Sequence, residues 1–191
     1  PKAEKKYKSI LSIDPQHGDA NHLLGLLAKQ AGNLKLAKSF FSTAVTSNPE
    51  HPQYLGNLVK LLLQTGNAEE ALANIGKTAP PYKIDIQLFR GVALQHLGQL
   101  DEAIQQFSDI LVLKADFAPA HFHLCMVYRL QNKIDLAISH GLKAIKLSPP
   151  NADFQFQLGL AFAQKNELDN AYSCFEAAIR LNPKHAASYG A

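Results

Sequence analysis

Apolar residues recur at helical spacing along residues 151–183. Leu158 and Phe162 lie about one turn apart, a polar stretch interrupts the series, the apolar positions then resume, and Pro183 closes the segment. The pattern predicts two short amphipathic helices joined by a tight polar turn. Asn166 lies in that turn, and asparagine tolerates the left-handed backbone conformation that ends many helices.

The same arrangement recurs about every 34 residues. A small residue begins the buried face of each predicted second helix, at Ala37, Ala71, Ala103, Ala137 and Ala171. A turn-forming residue precedes each of these alanines by five positions, at Gly32, Gly66, Gly98, Asn132 and Asn166. A fixed period of this length is typical of repeat proteins, in which each unit buries its apolar face on its neighbours.

This period and these residues resemble the tetratricopeptide repeat (TPR) family. At the family's characteristic positions the first copy has Leu24, Gly25, Ala28, Ala37, Phe41, Ala44 and Pro49. The last copy has Leu158, Gly159, Phe162, Ala171, Phe175, Ala178 and Pro183. The resemblance covers nearly the whole chain and implies an all-α fold, a right-handed superhelical solenoid of antiparallel helix pairs.

We interpret residues 1–191 as a single TPR solenoid. It comprises a partial repeat at 1–17, full repeats at about 18–51, 52–83, 84–117, 118–151 and 152–185, and the start of a further repeat at 186–191.

Three local expectations follow from this register. Repeat one should have helices near 19–31 and 34–47. The second helix of repeat two should end near Thr78, because the Pro-Pro pair that follows lacks amide donors and clashes with the preceding turn. In repeat four, Gly141 stands where the family has an aromatic residue, so we expect a gap against the neighbouring helix. Cys125 occupies a position of the same repeat where helices pack closely.

Composition and charge argue against several functions. With 19 basic and 16 acidic residues the net charge is +3, too balanced for the basic stripe that nucleic-acid binding usually needs. No apolar run approaches the roughly 20 residues of a membrane span, so we expect no membrane insertion. Cys125 and Cys174 are far apart and indicate neither a zinc site nor a disulfide framework. This cysteine usage is compatible with a reducing compartment, and a cytoplasmic location is favoured.

The chain lacks the common motifs of catalysis. It has no phosphate-cradling glycine loop and no nucleophile elbow. His121 and His123 are two residues apart and so point in different directions on a helix, and no histidine pair has the helical spacing of three or four. We therefore predict that the chain is not an enzyme and uses no cofactor and no metal.

The resemblance implies a binding groove lined by the first helix of each repeat. The residues at the groove-facing positions are His22, Leu26, Asn57, Lys60, Leu88, Phe89, Val92, His96, Phe122, His123, Met126, Arg129, Phe156, Gln157 and Leu160. From repeat three onward these residues are mainly apolar or aromatic. Exposed apolar groups that packing does not require indicate a partner surface. The alternative is that they pack on one another within the groove.

The family includes a subgroup that grips the carboxylate tail of heat-shock chaperones through lysine, arginine and asparagine at fixed positions. Only Asn57 agrees with that set, so this partner is not expected. We predict a protein-interaction scaffold that binds a helical or extended peptide through apolar and aromatic anchors.

Two alternatives remain at this stage. The opening helices also look like the repeat arrays that precede bacterial glycosyltransferase, sulfotransferase or methyltransferase domains. The chain would then be the non-catalytic arm of a larger enzyme and would recruit substrate or self-associate. Self-association through the apolar ends of the array, giving a homo-oligomer, is the other alternative.

Overall fold

The computed structural model of the protein describes residues 2–78 and 84–183. Within these ranges the chain forms eleven α-helices and no strand. The helices are α1 (Lys2–Ile13), α2 (Gly18–Gln30), α3 (Leu34–Ser47), α4 (Pro52–Gln64), α5 (Ala68–Thr78), α6 (Ile84–His96), α7 (Leu100–Leu113), α8 (Ala118–Leu130), α9 (Ile134–Leu147), α10 (Ala152–Gln164) and α11 (Leu168–Leu181).

The predicted helix boundaries of repeat one are confirmed, since both helices lie within one residue of the expected positions. In repeat two, α5 spans Ala68–Thr78. Pro80 and Pro81, which are expected to end this helix, lie outside the described residues, as does the expected start of a further repeat at 186–191.

The turns between paired helices depend on residues with a left-handed backbone. All five turn-forming residues that the repeat pattern indicated have positive φ, from 60° at Asn132 to 78° at Gly32. At the first turn the N–H of Asn33 donates to the carbonyl of Ala28 at 2.9 Å, and the N–H of Gly32 donates to Lys29 at 3.0 Å. These two bonds form a Schellman motif, which satisfies the last carbonyls of a helix and reverses the chain.

The chain divides into two compact units, Pro1–Gly98 and Gln99–Ala191. The boundary falls between the two helices of predicted repeat three, α6 and α7. In the first unit, α2 packs against α3, and α4 packs against α3, α5 and α6. In the second unit, α8 packs against α9, α10 packs against α11, and α8 also contacts α7 and α10.

Each unit has its own apolar core. The core of the first unit is built around fully buried side chains such as Phe41, Leu58 and Leu62. In the second unit, Cys125, Ala137 and Leu158 belong to one buried cluster. In both units the buried alanines include those that begin the second helices, because a small residue there lets two helix backbones approach closely.

The prediction of a gap beside Gly141 is wrong. A Cβ atom placed on Gly141 would lie 2.9 Å from Leu158 Cδ1 and 3.1 Å from the Cys125 sulfur. Leu158 comes from the following repeat and occupies the volume that an aromatic ring takes elsewhere. The glycine is therefore packed, by Leu158 of α10 together with Cys125 of α8.

None of the described helices combines the length and the apolar character that crossing a bilayer requires.

Candidate functional site

Five of the predicted groove residues line one open cavity on the first unit. The cavity has a volume of about 570 Å³ and lies on α2, α4 and α6. The predicted residues in its lining are His22, Leu26, Asn57, Lys60 and Phe89. The first helices of three successive repeats thus present their side chains to a shared hollow.

A hydrogen bond fixes the protonation of the cavity's histidine. The amide Nδ2 of Asn57 lies 2.7 Å from His22 Nε2. Because an amide NH₂ group can only donate, Nε2 accepts, and neutral His22 carries its proton on Nδ1. His22 is buried, and this burial lowers its pKa. The cavity therefore presents a neutral imidazole and amide pair.

The cavity lining also contains a cation close to an aromatic ring. Lys60 Nζ lies 6.0 Å from the centroid of the Phe89 ring, within the range of a cation–π interaction. The same ring lies where a side chain at Gly56 would be, since a Cβ there would be 2.8 Å from Phe89 Cζ. The glycine lets the ring of α6 lie directly on the backbone of α4.

The remaining predicted residues of the first unit do not line this cavity. Leu88 and Val92 are half-buried on α6, and His96 is exposed near its end. The prediction also missed four lining residues, Pro52, Gln53, Gly56 and Asp85. Gln53 and Asp85 are each the second residue of their helix, and this repeated position was the signal that would have identified them.

Aromatic rings dominate the corresponding face of the second unit. Phe122 on α8 stacks on Phe154 of α10, with ring centroids 4.5 Å apart. His123 stacks on Phe107 at 5.1 Å and meets the edge of Phe122 at the same distance. Phe154 was not among the predicted residues, because it lies at the third position of its repeat, which is not one of the groove-facing positions.

Phe156 belongs partly to the packing within repeat five. Its ring centroid lies 5.6 Å from that of Phe175 on α11. Met126, Gln157 and Leu160 are half-buried on α8 and α10. The predicted aromatic face is thus partly satisfied by contacts inside the protein.

Two buried polar atoms on these helices have no hydrogen-bond partner. They are Nε of Arg129, in the last turn of α8, and Oε1 of Gln157, on α10. The first is a donor and the second an acceptor. Buried polar groups are nearly always hydrogen-bonded, so each unpaired atom calls for an explanation.

The cysteines are buried thiols. Burial raises the pKa of the Cys125 thiol to about 12 and also raises the pKa of Cys174. Both thiols therefore stay protonated and unreactive near neutral pH. In the described part of the chain, no group of three or more histidine, cysteine or acidic side chains could hold a metal ion.

Comparison with known proteins identifies the family. Two profiles, both described as tetratricopeptide repeat, match residues 2–80 and 152–185. Human tetratricopeptide repeat protein 6 is 24% identical over 151 residues, which is 78% of this chain. The chain spans only 29% of the length of that human relative.

Solved structures show the same fold. TTC0263, a thermophilic TPR protein of Thermus thermophilus, superposes with a TM-score of 0.76 at 23% identity, covering 87% of this chain and 92% of its own. YrrB, described as a TPR protein with an unusual peptide-binding site, superposes with a TM-score of 0.58 at 18% identity, covering 94% of this chain and 93% of its own. Together with the helix pairs and their left-handed turns, these matches establish that the chain belongs to the tetratricopeptide repeat family.

Proposed function

We propose that this chain is a non-catalytic protein-interaction scaffold that binds polypeptide segments on the faces of its first helices. The TPR fold is a scaffold of this kind, and the structural relative YrrB has a peptide-binding site. What supports the proposal most is the open cavity on α2, α4 and α6, because five residues chosen from the repeat positions alone line it together.

The cavity has the composition of a site for a polypeptide. Leu26 and Phe89 offer apolar surface, Leu26 being 38% exposed. Lys60 donates hydrogen bonds, and Asn57, whose amide nitrogen is bonded to His22, keeps its oxygen as an acceptor. An extended or helical segment supplies apolar side chains together with N–H and C=O groups, and so matches all three features.

The second unit offers a different surface to such a ligand. The Phe122 and Phe154 stack, with Met126 beside it on α8, provides adaptable apolar contacts. Aromatic groups are enriched at the energetic centres of protein interfaces. Each unit therefore has its own candidate contact face, polar and concave on the first and aromatic on the second.

The test is a binding experiment with variants that leave the core intact. A display library of 12-residue peptides is selected on the intact chain, and selected peptides are measured by fluorescence polarisation. The double variant Leu26→Ala/Lys60→Ala should weaken binding of peptides that use the cavity at least about tenfold, because both side chains are exposed in its lining.

The matched control is Lys35→Ala on the outer helix α3, where the side chain is exposed. This variant should bind every selected peptide like the unmodified chain. A library that yields no specific binder would contradict the proposed function. If the double variant binds all selected peptides as tightly as the unmodified chain does, the cavity is not the binding site.

A further inference from the structure

Lys60 and Asp85 are the two fully charged residues in the lining of the cavity on the first unit. Lys60 belongs to α4 and Asp85 to α6, and both residues are exposed to solvent. The rest of the lining consists of apolar residues, amides, a glycine and His22, whose pKa is lowered by burial. The cavity therefore offers a ligand one positive and one negative charge that it can reach from solution.

Neither of these charges belongs to an ion pair. None of the ion pairs within residues 2–78 and 84–183 includes Lys60 or Asp85, so the two groups do not contact each other. Lys60 Nζ lies 6.0 Å from the centroid of the Phe89 ring, and this contact supplies no hydrogen-bond acceptor to the ammonium group. An ammonium and a carboxylate thus face the same cavity without an ionic partner inside the protein.

Local structure explains one of these charges and not the other. Asp85 lies in the first turn of α6, where a negative charge interacts favourably with the helix dipole. Lys60 lies a full turn before the end of α4 at Gln64, and it is the one charged residue of that helix. Because neither the helix end nor an ion pair requires Lys60, its charge is available to a partner.

The two charges lie at different levels of the cavity. The Phe89 ring packs on Gly56, where a Cβ atom would be 2.8 Å from Cζ, so these two residues are at the same level of α4 and α6. Asp85 is about one turn before Phe89, and Lys60 is about one turn after Gly56. In an array of antiparallel helix pairs the first helices run in the same direction. The backbones of the two charged residues are therefore on the order of 10 Å apart along the helices, with the aromatic ring between them.

We propose that the cavity binds a polypeptide segment in which an acidic and a basic side chain flank an apolar one, the acidic side chain pairing with Lys60 and the basic side chain with Asp85. The apolar side chain then lies against the Phe89 ring. This inference rests on the proposed function and names the chemistry of the ligand at the same site. A segment with charges of one sign would place a like charge beside either Lys60 or Asp85, whereas a segment with both signs complements the two residues.

The experiment begins with those peptides of the display library that Leu26→Ala/Lys60→Ala weakens. For each of them a second peptide of the same composition is synthesised, in which the acidic and the basic residue exchange places. The flanking residues are unchanged and keep the direction in which the peptide lies. We expect the exchanged peptide to bind the unmodified chain about tenfold more weakly, because each of its charges then meets a like charge.

The double variant Lys60→Glu/Asp85→Lys inverts the charges of the cavity and keeps the net charge of the chain. It should prefer the exchanged peptide over the original by a similar factor, which a change in stability cannot produce. The matched control Lys35→Glu/Glu176→Lys makes the same two changes at exposed sites on α3 and α11 and should keep the preference of the unmodified chain. Circular dichroism checks that both variants retain their helices.

The outcomes separate this inference from the proposed function. Peptides that use the cavity without carrying both charges, or exchanged peptides that bind the unmodified chain as tightly as the originals, would overturn the charge pairing and leave the scaffold function standing. A preference for the original peptides on Lys60→Glu/Asp85→Lys would also overturn the pairing. A library without any binder would overturn both proposals.

Discussion

Repeats one and five pack their paired helices by a different arrangement from that of repeat four. In repeat one a Cβ atom on Gly25 would lie 2.5 Å from the ring of Phe41, and in repeat five a Cβ on Gly159 would lie 2.6 Å from Phe175. The glycine is on the first helix and the ring on the second. In repeat four the glycine, Gly141, is on the second helix.

Repeat four fills the same space from two directions. Cys125 occupies the first-helix position that glycine has in repeats one and five, and Leu158 of the following repeat covers Gly141 from the other side. Interiors are close-packed, so the sum of volumes at a contact is constrained more strongly than the residue at any one position. At this contact the TPR pattern therefore requires side chains whose volumes complement each other, and the large and small residues can exchange places between helices.

A polar contact further distinguishes repeat four. His121 Nδ1 and His140 Nδ1 lie 2.9 Å apart across α8 and α9, and His121 Nε2 lies 3.1 Å from the carbonyl oxygen of Ala115. Because that oxygen only accepts, Nε2 donates to it, and neutral His121 receives a hydrogen bond on Nδ1 from His140. This hydrogen bond forms when both rings are neutral, and two protonated rings at this distance would repel each other.

The largest expected effect comes from filling a glycine contact. Gly159→Leu should cost about 3 kcal/mol in the free energy of unfolding, because the new side chain must displace the Phe175 ring. Chemical denaturation followed by circular dichroism measures it. Gly76→Leu on α5 is the control, since a Cβ there meets nothing within 4 Å, and it should be neutral or slightly stabilising. Equal stability of the two variants would contradict the packing of repeat five.

The next effect is acid sensitivity of repeat four. Burial, together with the charges of His121 and Lys143, lowers the pKa of His140 to about 4, against about 6.5 in an unfolded chain. The unfolded state therefore binds more protons between these values, and stability falls as the pH decreases through this window. Because the His140 ring is only half-buried and solvent screens part of the effect, lowering the pH from about 7 to about 5 should lower the unfolding free energy by about 1 kcal/mol.

Matched histidine variants isolate this contribution. His140→Gln should flatten the decline of unfolding free energy between neutral and mildly acid pH, because the group that titrates is gone. The partners that face this site, Lys143 and Tyr128, are unchanged in the variant. His96→Gln, at an exposed site, should keep the slope of the unmodified chain. Identical slopes for all three proteins would exclude His140 as the source.

The smallest expected effect concerns the contact between Gly141 and Leu158. Gly141→Ala brings its Cβ against the flexible end of Leu158, and the higher helix propensity of alanine offsets the contact. We expect a change within about 0.5 kcal/mol, whereas Gly25→Ala, which meets the Phe41 ring at 2.5 Å, should be destabilising by about 1–2 kcal/mol. Thermal unfolding of the two alanine variants compares them. A larger loss at Gly141 would mean that Leu158 cannot move.

The repeat register was readable from the sequence because the relevant interactions are local. The positive φ of Asn132 and Asn166 follows from the need to reverse the chain between two helices. The boundaries of α2 and α3 follow from the apolar periodicity and from the turn at Gly32 between them. Each of these features depends on neighbours within a few residues.

The candidate site was only partly readable. Fixed repeat positions identified His22, Asn57 and Lys60, which line the cavity with Phe89. They did not show that His22 and Asn57 would bond to each other across two repeats. Phe154 was missed, since its stacking on Phe122 depends on how α8 and α10 approach.

The amino-acid order by itself determined the helix pairs, their turns and the family, because periodicity, turn chemistry and close helix contacts repeat with the chain. Only the tertiary structure decided which groups are left unsatisfied. Whether Gly141 borders a gap depends on Leu158, a residue of the next repeat. Whether Arg129 has a partner depends on every side chain within reach of its guanidinium. Packing and hydrogen bonding join residues that are distant in sequence, and so they appear only once the helices are in contact.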